Sequence, residues 1–131
     1  CGWCKRMDAS TFKDPVIVDI FNKNFYAVKL DAEMKDSIRF NGHIFFNPNP
    51  ATRRSVHTLA ASLLDNKMSY PSFVILNSEY SRLQTMAGFK DALALEPIVT
   101  YFGEGQHLEK SYEAWHKSFS PKVVKKVKPN N

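Results

Sequence analysis

Apolar and polar residues follow one another along this chain in short blocks, some at helical spacing and some alternating as in strands. Residues 2–12 read as a helix, with Met7 and Phe12 as its apolar contacts and Cys1 at its N-terminal end. Asp14-Pro15 starts a second helix, since Asp caps and a proline at the first helical position gives up no needed hydrogen bond. Val16, Ile17, Ile20 and Phe21 continue it at helical spacing, although Val-Ile-Val suits a strand equally well. Residues 25–30, Phe-Tyr-Ala-Val-Lys-Leu, read as a strand ended by the polar Asp31-Ala32-Glu33.

The sharpest local signal lies at Asn41-Gly42. Both residues tolerate the positive φ of a type I′ turn, and alternating residues flank them from Ser37 to Phe46, which predicts a β-hairpin. Asn47-Pro48-Asn49-Pro50 is a loop, and the spacing of Val56, Leu59, Ala60, Leu63 and Leu64 predicts a helix over 53–67. Residues 71–76 form a largely apolar strand, a turn at 77–80 follows, and 82–87 return as a second strand interrupted by Gly88. Asp91 caps a helix that runs through Phe102 to Gly103, with Pro97 bending it or shifting its start. Residues 111–119 read as a short extra helix and 121 onward as a tail. No internal repeat is present.

A chain of 131 residues is one domain's worth and can bury a real core, for which ten Phe and 44% hydrophobic residues supply the material. The net charge of +5 is uneven. Lys117, Lys122, Lys125, Lys126 and Lys128 stand without an acid among them, so the remainder is close to neutral. No interleaving of aromatic and basic residues accompanies that run, which reads as a solvated tail and not as a nucleic-acid or membrane patch. No apolar run approaches the ~18 residues of a transmembrane span. Two domains of unequal weight follow: residues 1–120 as the folded body and 121–131 as a basic C-terminal tail.

Both cysteines of the chain lie in Cys1-Gly2-Trp3-Cys4, so neither sulfur has another intramolecular partner. The thiolate is the reactive form of cysteine. A helix N-terminus aims unsatisfied N–H groups at Cys1 and lowers such a pKa from ~8.5 to roughly 3.5–7.5. Cys4, most of a turn further in and more shielded, can close onto Cys1. That predicts Cys1 as nucleophile and Cys4 as resolving thiol, with Gly2 and Trp3 tuning the turn between them. Lys5 and Arg6 add nearby positive charge. A zinc site would want four ligands, and His43, His57, His107 and His116 show no finger spacing. A chance pair of core cysteines, or a lipid-modified N-terminal cysteine, accounts for less of the pattern.

These residues resemble the thioredoxin family. Cys1-Gly2-Trp3-Cys4-Lys5 is similar to its active-site motif at the head of a helix, and the 25–30 run resembles the strand that follows that helix. Tyr70-Pro71-Ser72 resembles its cis-proline segment, and Gly88 the glycine ending its final strand. More narrowly, Cys-Gly-Trp-Cys-Lys-Arg-Met, Phe-Tyr-Ala-Val-Lys and Ser-Tyr-Pro-Ser-Phe-Val resemble exported thiol–disulfide interchange proteins of Bacteroidetes-type bacteria. The resemblance implies an α/β fold with a thioredoxin-like central mixed sheet flanked by helices, carrying the hairpin region 35–52 as an insertion. It implies a cis bond before Pro71, with Pro71 against the sulfurs and the Tyr70 backbone offered to substrate as a short extra strand. The strand that precedes the active site in that family, with its buried acid, has no counterpart here, so residues upstream of Cys1 are expected in the natural protein.

The expected activity is thiol–disulfide exchange with disulfide-containing protein substrates, most simply as a reductase drawing electrons from a dithiol donor protein. No cofactor, metal or nucleic acid is expected. The resemblance suggests a periplasmic or exported location, with a cytoplasmic one as the alternative. A different class of function is a non-catalytic binding or scaffold module working through the 35–52 insertion. His57 reads as a helix-face residue, Trp115 and Tyr112 as contacts holding the last helix, and Asp31 and Glu33 as solvated residues at a strand end.

Overall fold

The structure, a computed structural model, describes residues 1–124; most of the basic tail, including Lys125, Lys126 and Lys128, lies outside the described residues. It is a mixed α/β chain with two small antiparallel sheets and five α-helices among the described residues. The chain divides into two compact units, residues 1–27 with 89–131, and residues 28–88.

The first unit is helical. Helix α1 spans Gly2–Ala9 and passes through a 3₁₀ turn at Thr11–Lys13 into α2, Pro15–Asn24. Asp14 caps α2 as its sequence predicts, its carboxylate accepting from the Val16 N–H at 2.9 Å with Pro15 in the first turn. Helix α4, Ala92–Gly103, is capped by Asp91 and tolerates Pro97 inside it. Helices α2 and α4 pack on one another, with Ile17, Leu95 and Val99 buried along with Met7 of α1. Gly103 permits a close approach: a Cβ there would meet Phe25 Cε2 at 2.8 Å and Asn24 Cβ at 3.0 Å. The last helix, α5, spans Tyr112–His116, and Trp115 and Tyr112 both pack on Tyr101 with ring centroids 5.3 Å away. The Tyr101 hydroxyl donates to the Lys110 carbonyl, closing the loop between the two helices.

Lys122 and Val123, read from sequence as part of the tail, are held by their backbone N–H groups. Glu96 is 1% exposed, and its carboxylate accepts the Lys122 N–H at 3.0 and 2.9 Å and the Val123 N–H at 3.0 Å. Val123 is buried in consequence. A buried carboxylate is costly unless several donors meet it, and here two backbone N–H groups do so.

The second unit holds both sheets. Strands β1 (Ile38–Phe40) and β2 (His43–Phe45) form the expected hairpin in the register Ile38↔Phe45, Arg39↔Ile44, Phe40↔His43. The turn residues Asn41 and Gly42 take φ of 49° and 79°, the left-handed geometry their identities favour. Strands β3 (Ser72–Leu76) and β4 (Arg82–Ala87) pair antiparallel, with an irregularity between Ile75 and Leu76. Leu59, Ala60, Ile75 and Met86 are buried.

Three expectations change. The mixed central sheet implied by the resemblance is not formed among the described residues; two separate two-stranded antiparallel sheets stand in its place. Residues 25–30 form no strand, and Tyr26 and Val28 are 100% and 85% exposed. A strand exists only through the hydrogen bonds of a neighbour, and no described strand pairs with this run. The helix predicted over 53–67 is only Thr58–Leu63, labelled α3. Asn47 holds the chain ahead of it in a loop, its amide donating to the Met34 and Ser55 carbonyls at 3.0 and 2.9 Å. Asp65 and Asn66 then turn left-handed, with φ of 53° and 61°, and end the helix.

His57 is likewise not a helix-face residue. It is fully buried and caps α3: Nδ1 accepts the Leu59 N–H at 3.2 Å, while Nε2 lies 2.9 Å from the Asp36 carbonyl. Its own N–H donates to the Ala32 carbonyl at 2.7 Å. Because Nδ1 must accept, the ring proton sits on Nε2 and is given to Asp36. His57 thus ties residues 32–36 to the start of α3, its backbone N–H holding Ala32 and its imidazole holding Asp36.

Candidate redox site

Cys1 and Cys4 are joined by a disulfide, with their Cα atoms 5.3 Å apart. The pairing follows from local geometry. Residues three apart share a helix face, and Cys1 is the N-cap of α1, so its side chain folds over the first turn. The Cys4 N–H donates to Cys1 Sγ at 3.2 Å, and the Lys5 N–H donates to the Cys1 carbonyl at 3.2 Å. The first sulfur therefore already receives a backbone donor at the positive end of the helix. That contact strengthens when the sulfur is an anion.

Exposure differs along the turn. Cys1, Gly2 and Trp3 are exposed, Cys4 is half-buried, and Met7 one turn further is completely buried. Cys4 and Met7 share the inward face of α1, which anchors the helix and leaves the outer sulfur open. Trp3 is 53% exposed, yet it is not loose. The Arg6 guanidinium carbon lies 5.0 Å from the indole centroid, and the Phe89 ring lies 5.6 Å away at 50°. Phe89 is held there by the buried Thr11, whose hydroxyl donates to the neighbouring Lys90 carbonyl at 2.6 Å. From the sequence, Arg6 was assigned only a nearby positive charge and Phe89 no role. The i, i+3 spacing of Trp3 and Arg6 was readable there, whereas the partnership with Phe89 spans 86 positions.

Tyr70 and Pro71 lie in the second unit, at the entry to β3. The peptide bond between them is cis, as the resemblance implies. The Pro71 carbonyl accepts the Gly88 N–H at 2.8 Å, which fixes the start of the strand pair. Among the described residues no backbone hydrogen bond involves Tyr70, so its N–H and C=O are open. The Tyr70 phenol is pushed above its ordinary range, first by partial burial and then by the negative charges of Glu33 and Asp31.

The 35–52 region contributes a cleft of about 410 Å³ within the second unit, bordered by Phe40, Phe45, Tyr80, His43, Asp65 and Arg82. Phe40 and Tyr80 meet edge to face at 5.2 Å, and Arg82 pairs with Asp65 at 2.8 Å. Among the described residues no group of three or more His, Cys, Asp or Glu side chains could hold a metal ion, and no helix is long and apolar enough to cross a membrane. The chain matches no family model, no curated protein and no solved structure.

Proposed function

We propose that this chain is a thioredoxin-like protein thiol–disulfide oxidoreductase that reduces client disulfides through Cys1 and Cys4. The observation that carries the proposal is the Cys1–Cys4 disulfide on the first turn of α1, with its outer sulfur exposed and accepting a backbone N–H. In the dithiol form, the Cys1 thiolate attacks one client sulfur. A Cys1–client bond forms as the client S–S bond breaks, and the departing client thiolate takes a proton from water. The Cys4 thiolate then attacks Cys1, re-forming the intramolecular disulfide and releasing the second client thiol. Two electrons pass to the client and are restored by a dithiol donor.

The part of backbone platform for Tyr70 rests on the resemblance; within the second unit its N–H and C=O are unused. Gly2 and Trp3 lie between the sulfurs and meet the client first. The resemblance alone favours a periplasmic or exported setting. Reduction of insulin disulfides with dithiothreitol as donor tests the activity. Cys1→Ser is expected to fall to the uncatalysed rate, and Cys4→Ser to accumulate a mixed disulfide on Cys1. Turnover unaffected by both substitutions would overturn the proposal.

A second reading, a binding module working through the hairpin insertion, draws on the aromatic cleft beside Phe40, Phe45 and Tyr80. The same cysteine variants separate the two, because a module of that kind has no use for the dithiol.

A further inference from the structure

We infer that the outer face of α1 selects client cystines flanked by a bulky apolar residue and an acidic residue. The inference rests on the redox reading above and names its substrate class. Three features carry it.

First, an indole lies one residue from Cys4 and two from Cys1, and it is 53% exposed. Its rigidity is provided, since Arg6 covers one side and Phe89 meets it from another element. Thr11, 1% exposed and bonded to the Lys90 carbonyl, fixes the turn that bears Phe89. A large aromatic surface already held in one orientation gives contact area at little entropic cost. The bulky residue of a client would lie against it.

Second, a guanidinium held over a ring face by cation–π attraction still has five N–H donors to offer a partner. Arg6 is exposed, and none of its N–H groups is taken by a carboxylate among the described residues. A guanidinium matches a carboxylate in paired geometry. Third, the exposed Lys5 precedes it, so the solvent side of this turn carries two adjacent positive charges. The nearest acid in sequence, Asp8, is two positions on and faces another side of the helix.

The test uses three synthetic peptides of equal length, each closed by one intramolecular cystine. Phe and Glu, Phe and Lys, or Ala and Glu flank it. Pre-reduced protein is mixed with each in a single turnover, and released peptide thiol is followed by chromatography. The native protein is expected to reduce the Phe/Glu peptide about threefold to fivefold faster than the Phe/Lys peptide, the scale of an exposed ion pair. That ratio falls toward one near ~1 M salt, where the screening length is only about 3 Å. Arg6→Glu reverses it. Arg6→Lys keeps the charge preference but loses the guanidinium that covers the indole, and the advantage of Phe over Ala shrinks. Equal rates for the Phe/Glu and Phe/Lys peptides, or a ratio unmoved in Arg6→Glu, would overturn the inference while leaving disulfide exchange intact. Reduction of none of the peptides would instead sink the redox reading, and this inference with it.

Discussion

Replacing Glu96 by Ala should loosen the end of the described chain and lower the stability of the first unit. In the native structure the Glu96 carboxylate is 1% exposed and accepts two backbone N–H groups, those of Lys122 and Val123, through three short contacts. Hydrogen bonds to a charged group contribute roughly 1.5–3 kcal/mol each, so full loss of both donors would cost about 3–6 kcal/mol. The segment has an escape, however. It can lift away and satisfy its N–H groups with water, and the loss is then set chiefly by re-exposing Val123, roughly 1.5–3 kcal/mol. The smaller cost governs, and Glu96→Ala is expected to destabilise by about 2–3 kcal/mol. Glu96→Gln keeps one acceptor oxygen for both donors and should cost only ~1 kcal/mol. Urea unfolding reads the difference as a lower midpoint at unchanged slope, and hydrogen exchange reads it locally as faster exchange of the Val123 amide. An Ala variant within ~0.5 kcal/mol of the native protein, a difference typical of uninvolved surface sites, would refute this reasoning. So would a Val123 amide that stays protected.

Two further outcomes follow from side chains in the second unit. His57→Ala removes the N-cap acceptor of α3, leaves the Asp36 carbonyl without its ring partner and opens a cavity at a fully buried site. A loss of about 3 kcal/mol is expected by thermal or urea unfolding, and a change below ~1 kcal/mol would show that the imidazole ties nothing together. Asp65 is held below its ordinary value of 3.8, first by its hydrogen bond to Arg82, which outweighs the opposing effect of desolvation, and further by the charges of Arg82 and Lys67. A carboxylate with a depressed folded-state pKa contributes above the unfolded value and loses that contribution as pH falls through the folded one. Carboxyl chemical shifts should therefore show Asp65 titrating below 3.8 in the native protein and closer to it in Arg82→Ala.

Features written within a few neighbouring residues were legible. Asp14-Pro15 and Asp91 cap the helices they precede, and Asn41-Gly42 turns the hairpin whose register follows from it. The closeness of Cys1 and Cys4 belongs to the same kind, since it depends only on one helical turn. Features that depend on distant partners were not legible. Nothing within residues 25–30 says whether a neighbouring strand is present to pair with them, and without one their β propensity yields no strand and leaves Tyr26 and Val28 exposed. The regular spacing of apolar residues over 53–67 was misleading for a related reason. Asn47 and His57 bind backbone groups ahead of α3 and claim the residues that periodicity assigned to the helix. Glu96 gave no sign of burial, because its donors lie 26 and 27 positions away. Of the candidate site, the cysteines could be picked out by type and spacing. The Arg6 and Phe89 setting around Trp3 could not, because half of it comes from the turn after β4.

The indole between the two sulfurs has a practical consequence for anyone handling the protein. A disulfide so close to an excited indole drains its emission by electron transfer, and opening the S–S bond removes that drain. The chain has one other tryptophan, Trp115, buried in a cluster of rings in α5 and contributing a steady background. Intrinsic fluorescence should therefore rise when the protein is reduced and fall when it is oxidised. The molecule carries its own optical gauge of oxidation state, readable in real time without a label.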